Sequence, residues 1–236
     1  MKINSLYVLT LLIFILTSFS SCSQKNELSV KKPLEQEKEI IKCVVIGSST
    51  AEGAKASCKD SSWVGRLENF LKTKNEQNTT INLAKSGYTT YHLISKKIER
   101  KDRPESDTIR NIDFALALKP THVIINLPSN DAAYGYSNEE QMINFKSLID
   151  TCRSQGVHVF VCSAQPRNFK NIETRQKQIE LNKLLKRVYN NIYLDFWTGF
   201  TESDASIRTS FNSGDGIHMN DKGHRLMFAR VFNMFN

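Results

Sequence analysis

The chain has 236 residues, a formal net charge of +8 and an apolar fraction of 40%, values of an ordinary globular protein with room for one full-sized core. The basic excess sits in mixed runs such as KKIERKDRPESDTIR (96–110) and NFKNIETRQKQIELNKLLKRVYN (168–190), where interleaved acids mark solvated helix faces. Aromatic residues do not alternate with the basic ones and no nucleic-acid motif occurs, so no nucleic-acid partner is expected.

Lys2 precedes LYVLTLLIFILTSF, about 14 mostly apolar residues. This run is shorter than the roughly 20 needed to span a bilayer and fits the apolar region of a signal peptide over residues 1–21. It ends in SFSSCSQ. That ending resembles the lipobox of bacterial lipoproteins, with Phe19 where Leu is usual, and the resemblance implies a lipid anchor on Cys22 and a place in the cell envelope. Cleavage after Ser20 or Ser21 with ordinary secretion is the alternative. Residues 22–38 are polar and charged and read as a flexible tether. The folded domain is expected over 39–236.

Short apolar runs then alternate with amphipathic stretches. Ile40–Ile46 reads as a first strand, rich in β-branched residues. Trp63, Val64, Leu67, Phe70 and Leu71 share one helical face. Thr79–Ala84 reads as a second strand, followed by helices near Tyr91–Lys97 and in TIRNIDFALAL (108–118). Thr121–Leu127 is a continuous apolar third strand, as expected of one covered on both faces. Ser137 and Glu140 have the spacing of a capping box, Met142, Phe145, Leu148, Ile149 and Cys152 form one stripe, and Gly156 suits the helix end. VHVFVCS (157–163) is a fourth strand. A long helix follows over 173–190, with Ile179, Leu184, Leu185 and Val188 expected to face inward. IYLDF (192–196) is a fifth strand and 220–235 a closing helix. This alternation predicts a parallel sheet with helices on both faces, whose functional crevice lies beyond the carboxyl ends of the strands.

The residues past the first three strand ends are Gly47-Ser48-Ser49-Thr50, AKSGYTT with Gly87 and PSND with Asn130; DGIHMN, with Asp215 and His218, comes just before the last helix and is expected to meet them at the same sheet edge. A serine needs a base to become a nucleophile, and a histidine base needs an acceptor on its other ring nitrogen. Asp215 stands three residues before His218, close enough to orient that ring. An attacked carbonyl also needs hydrogen-bond donors where its oxygen gains charge. Candidates are the backbone N–H groups of Ser49 and Gly87 and the side-chain amide of Asn130. Structural roles compete at each position: Ser49 as a helix cap, Gly87 and Asp215 as turn formers, Asn130 as a loop hydrogen-bonder. His92, His122, His158 and His224 are assigned no catalytic role.

The blocks IGSSTAEG, INLAKSGYTT, VIINLPSNDAAYG and DGIHMNDKGHRLMFARVF stand in the order found in the SGNH hydrolases, also called the GDSL esterase/lipase family, and the chain resembles them from Ile40 to Asn236. The resemblance implies a three-layer α/β/α sandwich around a five-stranded parallel sheet of order 2-1-3-4-5. It also implies a serine esterase without cofactor or metal, with Ser49, His218 and Asp215 as a triad and Ser49, Gly87 and Asn130 as oxyanion donors. The implied substrates are short-chain acyl or acetyl esters, including glycan and cell-envelope esters, and a monomer is the default. Two positions depart from the family pattern: Ser48 replaces its usual Asp, and Pro128 replaces the Gly of its Gly-x-Asn-Asp.

Two other readings use the same fold class. GSSTAEG resembles the FMN phosphate loop of flavodoxins, but that loop usually continues Thr-Gly-x-Thr where this chain has Thr50-Ala51-Glu52-Gly53, and the reading leaves DGIH unexplained. A catalytically silent surface binding protein is the second. Apart from Cys22, the cysteines are Cys43, Cys58, Cys152 and Cys162. With the strand order that the resemblance implies, Cys43 and Cys162 lie two strand spacings apart, roughly 9.5 Å. A disulfide needs Cα atoms within about 7 Å, so no bridge is expected there. The pairing of Cys58 stays open.

Overall fold

Val44 and Ile46 on one side of the first strand, and Cys43 and Val45 on the other, are all fully buried. This explains why β1 (Lys42–Gly47) carries almost no polar side chain: it has two core faces to fill. In the computed structural model, which describes residues 39–98, 101–127 and 129–236, β1 is flanked by β2 (Thr79–Asn82) and β3 (His122–Asn126). β4 (His158–Cys162) and β5 (Tyr193–Leu194) complete a five-stranded parallel sheet of order β2-β1-β3-β4-β5. The expected signal peptide, the tether and Cys22 fall outside the described residues, as does Pro128.

Helices cover both faces. α1 (Ser49–Glu52), α2 (Trp63–Lys74) and α8 (Asp221–Phe232) pack on one core with Trp63, Leu67, Leu71, Phe196 and Met227. α3 (Thr90–Leu93), α4 (Ile112–Ala117), α6 (Asn138–Ser154) and α7 (Ile172–Tyr189) pack on the other with Leu93, Ile112, Phe145, Leu148 and Leu185. α5 (Asn130–Ala133) is a single turn past the end of β3. The capping box of α6 is present: Ser137 Oγ accepts from Glu140 N–H at 3.1 Å, and Glu140 Oε2 accepts from Ser137 N–H at 2.9 Å.

Several expected elements are shorter, each for a local reason. The helix expected near Tyr91–Lys97 stops at Leu93, because Asp107 N–H and Ser106 Oγ–H take the carbonyls of His92 and Ile94. The next helix begins only at Ile112, where Asn111 caps it by accepting from Phe114 N–H at 2.9 Å. β5 is cut short because Asp195 Oδ1 turns the chain by accepting from the N–H groups of Trp197 and Thr198.

The inward face of α7 requires a correction. Ile179 and Leu184 are only half-buried and Val188 is exposed, whereas Gln178, Leu181, Asn182, Leu185 and Tyr189 are buried. Leu185 faces inward as expected, but two of the other buried positions are polar, so hydrophobicity misplaced the rest of the stripe. Asn182 faces inward because its amide pairs both ways with the backbone of Ala164, at 2.8 and 3.1 Å. Cys43, Cys58, Cys152 and Cys162 are all free thiols, and only Cys58 is exposed.

Candidate active site

Four segments meet beyond the carboxyl ends of β1, β2 and β3. The first is the turn from β1 into α1. It can be this tight because Gly47 lacks a side chain: a Cβ there would stand 2.2 Å from Asn126 O across the β1–β3 ladder. Ser48 N–H then donates to that same carbonyl at 3.1 Å. Ser48 occupies the cap position of α1, yet its hydroxyl makes no cap bond. Ser49 follows at the first position of the helix, 8% exposed. Its backbone N–H has no acceptor among the described residues, as is usual in the first turn of a helix.

The loop from Asp215 to His218 brings the second component. Asp215 Oδ1 accepts from the backbone N–H groups of Ile217 and His218, both at 2.8 Å, which folds the loop around the carboxylate. Asp215 Oδ2 lies 2.8 Å from His218 Nδ1, and His218 Nε2 lies 2.9 Å from Ser49 Oγ. A carboxylate can only accept, so Nδ1 carries the proton and Nε2 is left to accept from the serine hydroxyl. Partial burial alone would raise the Asp215 carboxyl. The His218 ring and the two backbone N–H groups outweigh it and hold the carboxyl well below its ordinary range. Asp215, His218 and Ser49 thus form one hydrogen-bonded line.

The third component is the loop after β2. Glu52, near the end of α1, accepts from Ser86 N–H at 2.8 Å and from the Ser86 hydroxyl, tying this loop to the serine turn. Gly87 adopts φ +86°, and a Cβ there would meet nothing within 4 Å. The backbone conformation, not crowding, calls for glycine at this position. Its N–H has no acceptor among the described residues.

The fourth component is Asn130 at the start of α5. Its side-chain N–H₂ donates to Ser48 Oγ at 2.8 Å and to Tyr88 O at 2.9 Å. Both amide hydrogens are therefore engaged, and an oxyanion would share one or displace an acceptor. Ser48, standing where the family has Asp, thus receives the amide of Asn130. The neighbouring Asp131 is buried and accepts from Thr90 N–H (3.0 Å) and Thr90 Oγ–H (2.6 Å), which anchors α3 behind Gly87 and Tyr88. Burial pushes its carboxyl up to about 6, against the lowering effect of those bonds. Sequence reasoning did not single out Asp131 or Glu52 for these roles, since each acts on a loop 34 or more residues away.

The remaining histidines hold structure. His224 is fully buried in α8, with Nδ1 accepting from Trp63 N–H and Nε2 donating to Ala54 O. His122 and His158 stack at 4.9 Å at the amino ends of their strands, away from the site. Nδ1 of His92 accepts from Thr89 N–H in a capping arrangement. Among the described residues no group of three or more His, Cys, Asp or Glu is placed to hold a metal ion.

An α/β/α sandwich with a serine, a histidine and an aspartate in one hydrogen-bonded line at its strand ends defines a hydrolase-like site. The match of the family model for the GDSL-like lipase/acylhydrolase family to residues 45–226 is consistent with it, and the chain belongs to that family. Solved structures share the fold at low identity. A protein described as lipolytic and of the G-D-S-L family, from Desulfitobacterium hafniense DCB-2, superposes with a TM-score of 0.63 at 20% identity, over 82% of this chain and 98% of that one. The psychrotrophic esterase EstA from Pseudoalteromonas sp., in a structure inhibited by monoethylphosphonate, gives 0.59 at 17% identity, over 83% and 96%. A two-domain esterase active on acetylated mannans gives 0.58 at 15% identity, over 83% of this chain and 49% of that one. No curated protein matches the chain significantly.

Proposed function

We propose that this protein is a serine esterase that works through an acyl-enzyme. The observation that carries the reading is the line Asp215–His218–Ser49, with contacts of 2.8 and 2.9 Å. Ser49 Oγ attacks the ester carbonyl while His218 Nε2 takes its proton, and Asp215 stabilises the imidazolium that results. The carbonyl oxygen gains negative charge and is received by the N–H groups of Ser49 and Gly87, with the Asn130 amide turning from Ser48 Oγ to join them. His218 then returns the proton to the departing alcohol. Water enters, His218 acts again as base, and the acyl group leaves as a carboxylic acid.

A phosphate-binding role for the same turn is less well supported. The hydroxyls of Ser49 and Thr50 are engaged by His218 and Gln165, and Glu52 turns to Ser86. Short acyl groups are the proposed leaving acids, because the loops at the strand ends carry no long inserted helix as a lid among the described residues. The mannan esterase among the structural neighbours supports an acetylated glycan as one form of substrate. Export and a lipid anchor on Cys22 complete the proposal and favour cell-envelope esters. The test is turnover of p-nitrophenyl esters of increasing chain length by wild type and Ser49→Ala. Acetyl turnover that vanishes in the variant is expected. A preference for long chains would overturn the short-acyl assignment, and equal turnover by the variant would overturn the mechanism.

A further inference from the structure

β4 ends at Cys162, and the segment leaving it is fixed on three sides. Ser163 N–H donates to Leu194 O at 2.9 Å, the Ala164 backbone is clamped by Asn182, and Asn168 N–H donates to Gly216 O at 2.8 Å. Between these anchors stands Gln165, 1% exposed. Its Nε2 donates to Ile217 O at 2.8 Å and its Oε1 accepts from Thr50 Oγ at 2.6 Å. The directions are forced. The Ile217 carbonyl can only accept, so the amide N–H₂ faces it, the amide oxygen faces Thr50, and the Thr50 hydroxyl must donate. Thr50 adjoins Ser49, and Ile217 adjoins His218. One buried side chain therefore joins the residue next to the nucleophile to the residue next to the base.

We propose that Gln165 is a positioning residue that sets the separation of Ser49 Oγ and His218 Nε2 by holding Thr50 and the Ile217 carbonyl at once. This inference rests on the esterase reading above. Ser49 and His218 are 169 residues apart and sit on separate elements, so their direct contact needs a third group to hold its length. Gln165 suits the task because an amide offers a donor and an acceptor at a fixed spacing, and the chain on either side of it is pinned. A side chain of similar volume without those two polar atoms fills the same space but removes the direct tie between the two elements. It also leaves the Thr50 hydroxyl and the Ile217 carbonyl without this partner.

The test uses the full chain and p-nitrophenyl acetate, with variants Gln165→Met, Thr50→Val, Thr50→Ser and the double variant Gln165→Met/Thr50→Val. Mapping of a fluorophosphonate to Ser49 in wild type establishes the esterase reading separately. Against that background kcat of Gln165→Met is expected to fall by about 10- to 100-fold, the scale of a misplaced reacting group, with KM little changed. Thr50→Val should lower kcat in the same way, Thr50→Ser should restore most of it, and the double variant should be no worse than Gln165→Met alone. A folded Gln165→Met with wild-type kcat, or a double variant whose loss equals the product of the single losses, overturns the inference while leaving the esterase reading intact. If Gln165→Met does not fold, the two Thr50 variants decide: equal kcat in Thr50→Val and Thr50→Ser overturns it. A wild type that neither labels at Ser49 nor turns over ester removes both readings together.

Discussion

Replacing Asp131 by Asn tests whether a buried carboxylate stands behind the candidate oxyanion loop. Asp131 is 3% exposed, and its oxygens accept from the Thr90 N–H and hydroxyl. Burial raises its carboxyl from the ordinary 3.8 to about 6, the Thr90 bonds opposing that rise. The folded state therefore holds this proton more tightly than the unfolded chain does. The stability contributed is full below about pH 4 and is lost as pH rises through 6. The difference between the two values corresponds to about 3 kcal/mol. The amide in Asp131→Asn does not titrate, so only wild type should show this loss. The substitution also puts an N–H₂ opposite Thr90 N–H, which lowers stability equally at every pH. The informative quantity is thus the slope. Urea unfolding at steps from pH 4 to pH 8 should show wild type losing about 3 kcal/mol relative to Asp131→Asn, with the change setting in as pH passes 4 and levelling off once pH is about one unit above 6. Parallel stability curves for the two proteins would refute the reasoning.

Other substitutions probe the turn, the histidine loop and the thiols. Gly47→Ala would place a Cβ 2.2 Å from Asn126 O, and a loss of about 3 kcal/mol is expected in urea unfolding, where an unchanged midpoint would contradict the close approach. Asp215→Asn leaves the loop shape but not the tautomer of His218, and kcat is expected to fall by roughly 10⁴-fold, the scale known for this change in serine proteases. A fall of less than about tenfold would remove Asp215 from the mechanism. Hydrogen bonding with the Ser61 side chain and backbone lowers the exposed Cys58 thiol, while burial pushes Cys43 and Cys152 up to about 12. A thiol reagent at pH 8 should therefore show a fast phase that Cys58→Ser removes, and persistence of that phase at equal amplitude would contradict the assignment.

The sheet was legible because strands buried on both faces leave a simple mark, an unbroken apolar run closed by a glycine or polar turn. Cys43–Ile46 and Val123–Ile125 show it plainly. Ser49 and Asn130 stood out because they follow such runs, and Asp215 and His218 because DGIH directly precedes the last helix. What could not be read were polar contacts between distant segments. Glu52 stood only as a departure from the flavodoxin loop pattern, and its carboxylate holds Ser86. Ser48 stood only as a departure from the family's Asp, and its hydroxyl receives the amide of Asn130. Asn182 broke the apolar stripe of α7 because its amide meets the backbone of Ala164, and nothing in the structure explains the buried amide of Gln178. Gln165 stands at the end of β4, where the crevice rule already pointed, but nothing local in SAQP shows that its amide reaches Thr50, 115 residues away.

The central claim is that Ser49 is the nucleophile, and the most direct measurement is labelling by a fluorophosphonate probe with the modified peptide mapped. Wild type should take one label on Ser49, at a rate that falls when His218 is replaced by Ala, and Ser49→Ala should take none. Label on any other serine, or equal labelling of wild type and Ser49→Ala, would contradict the account.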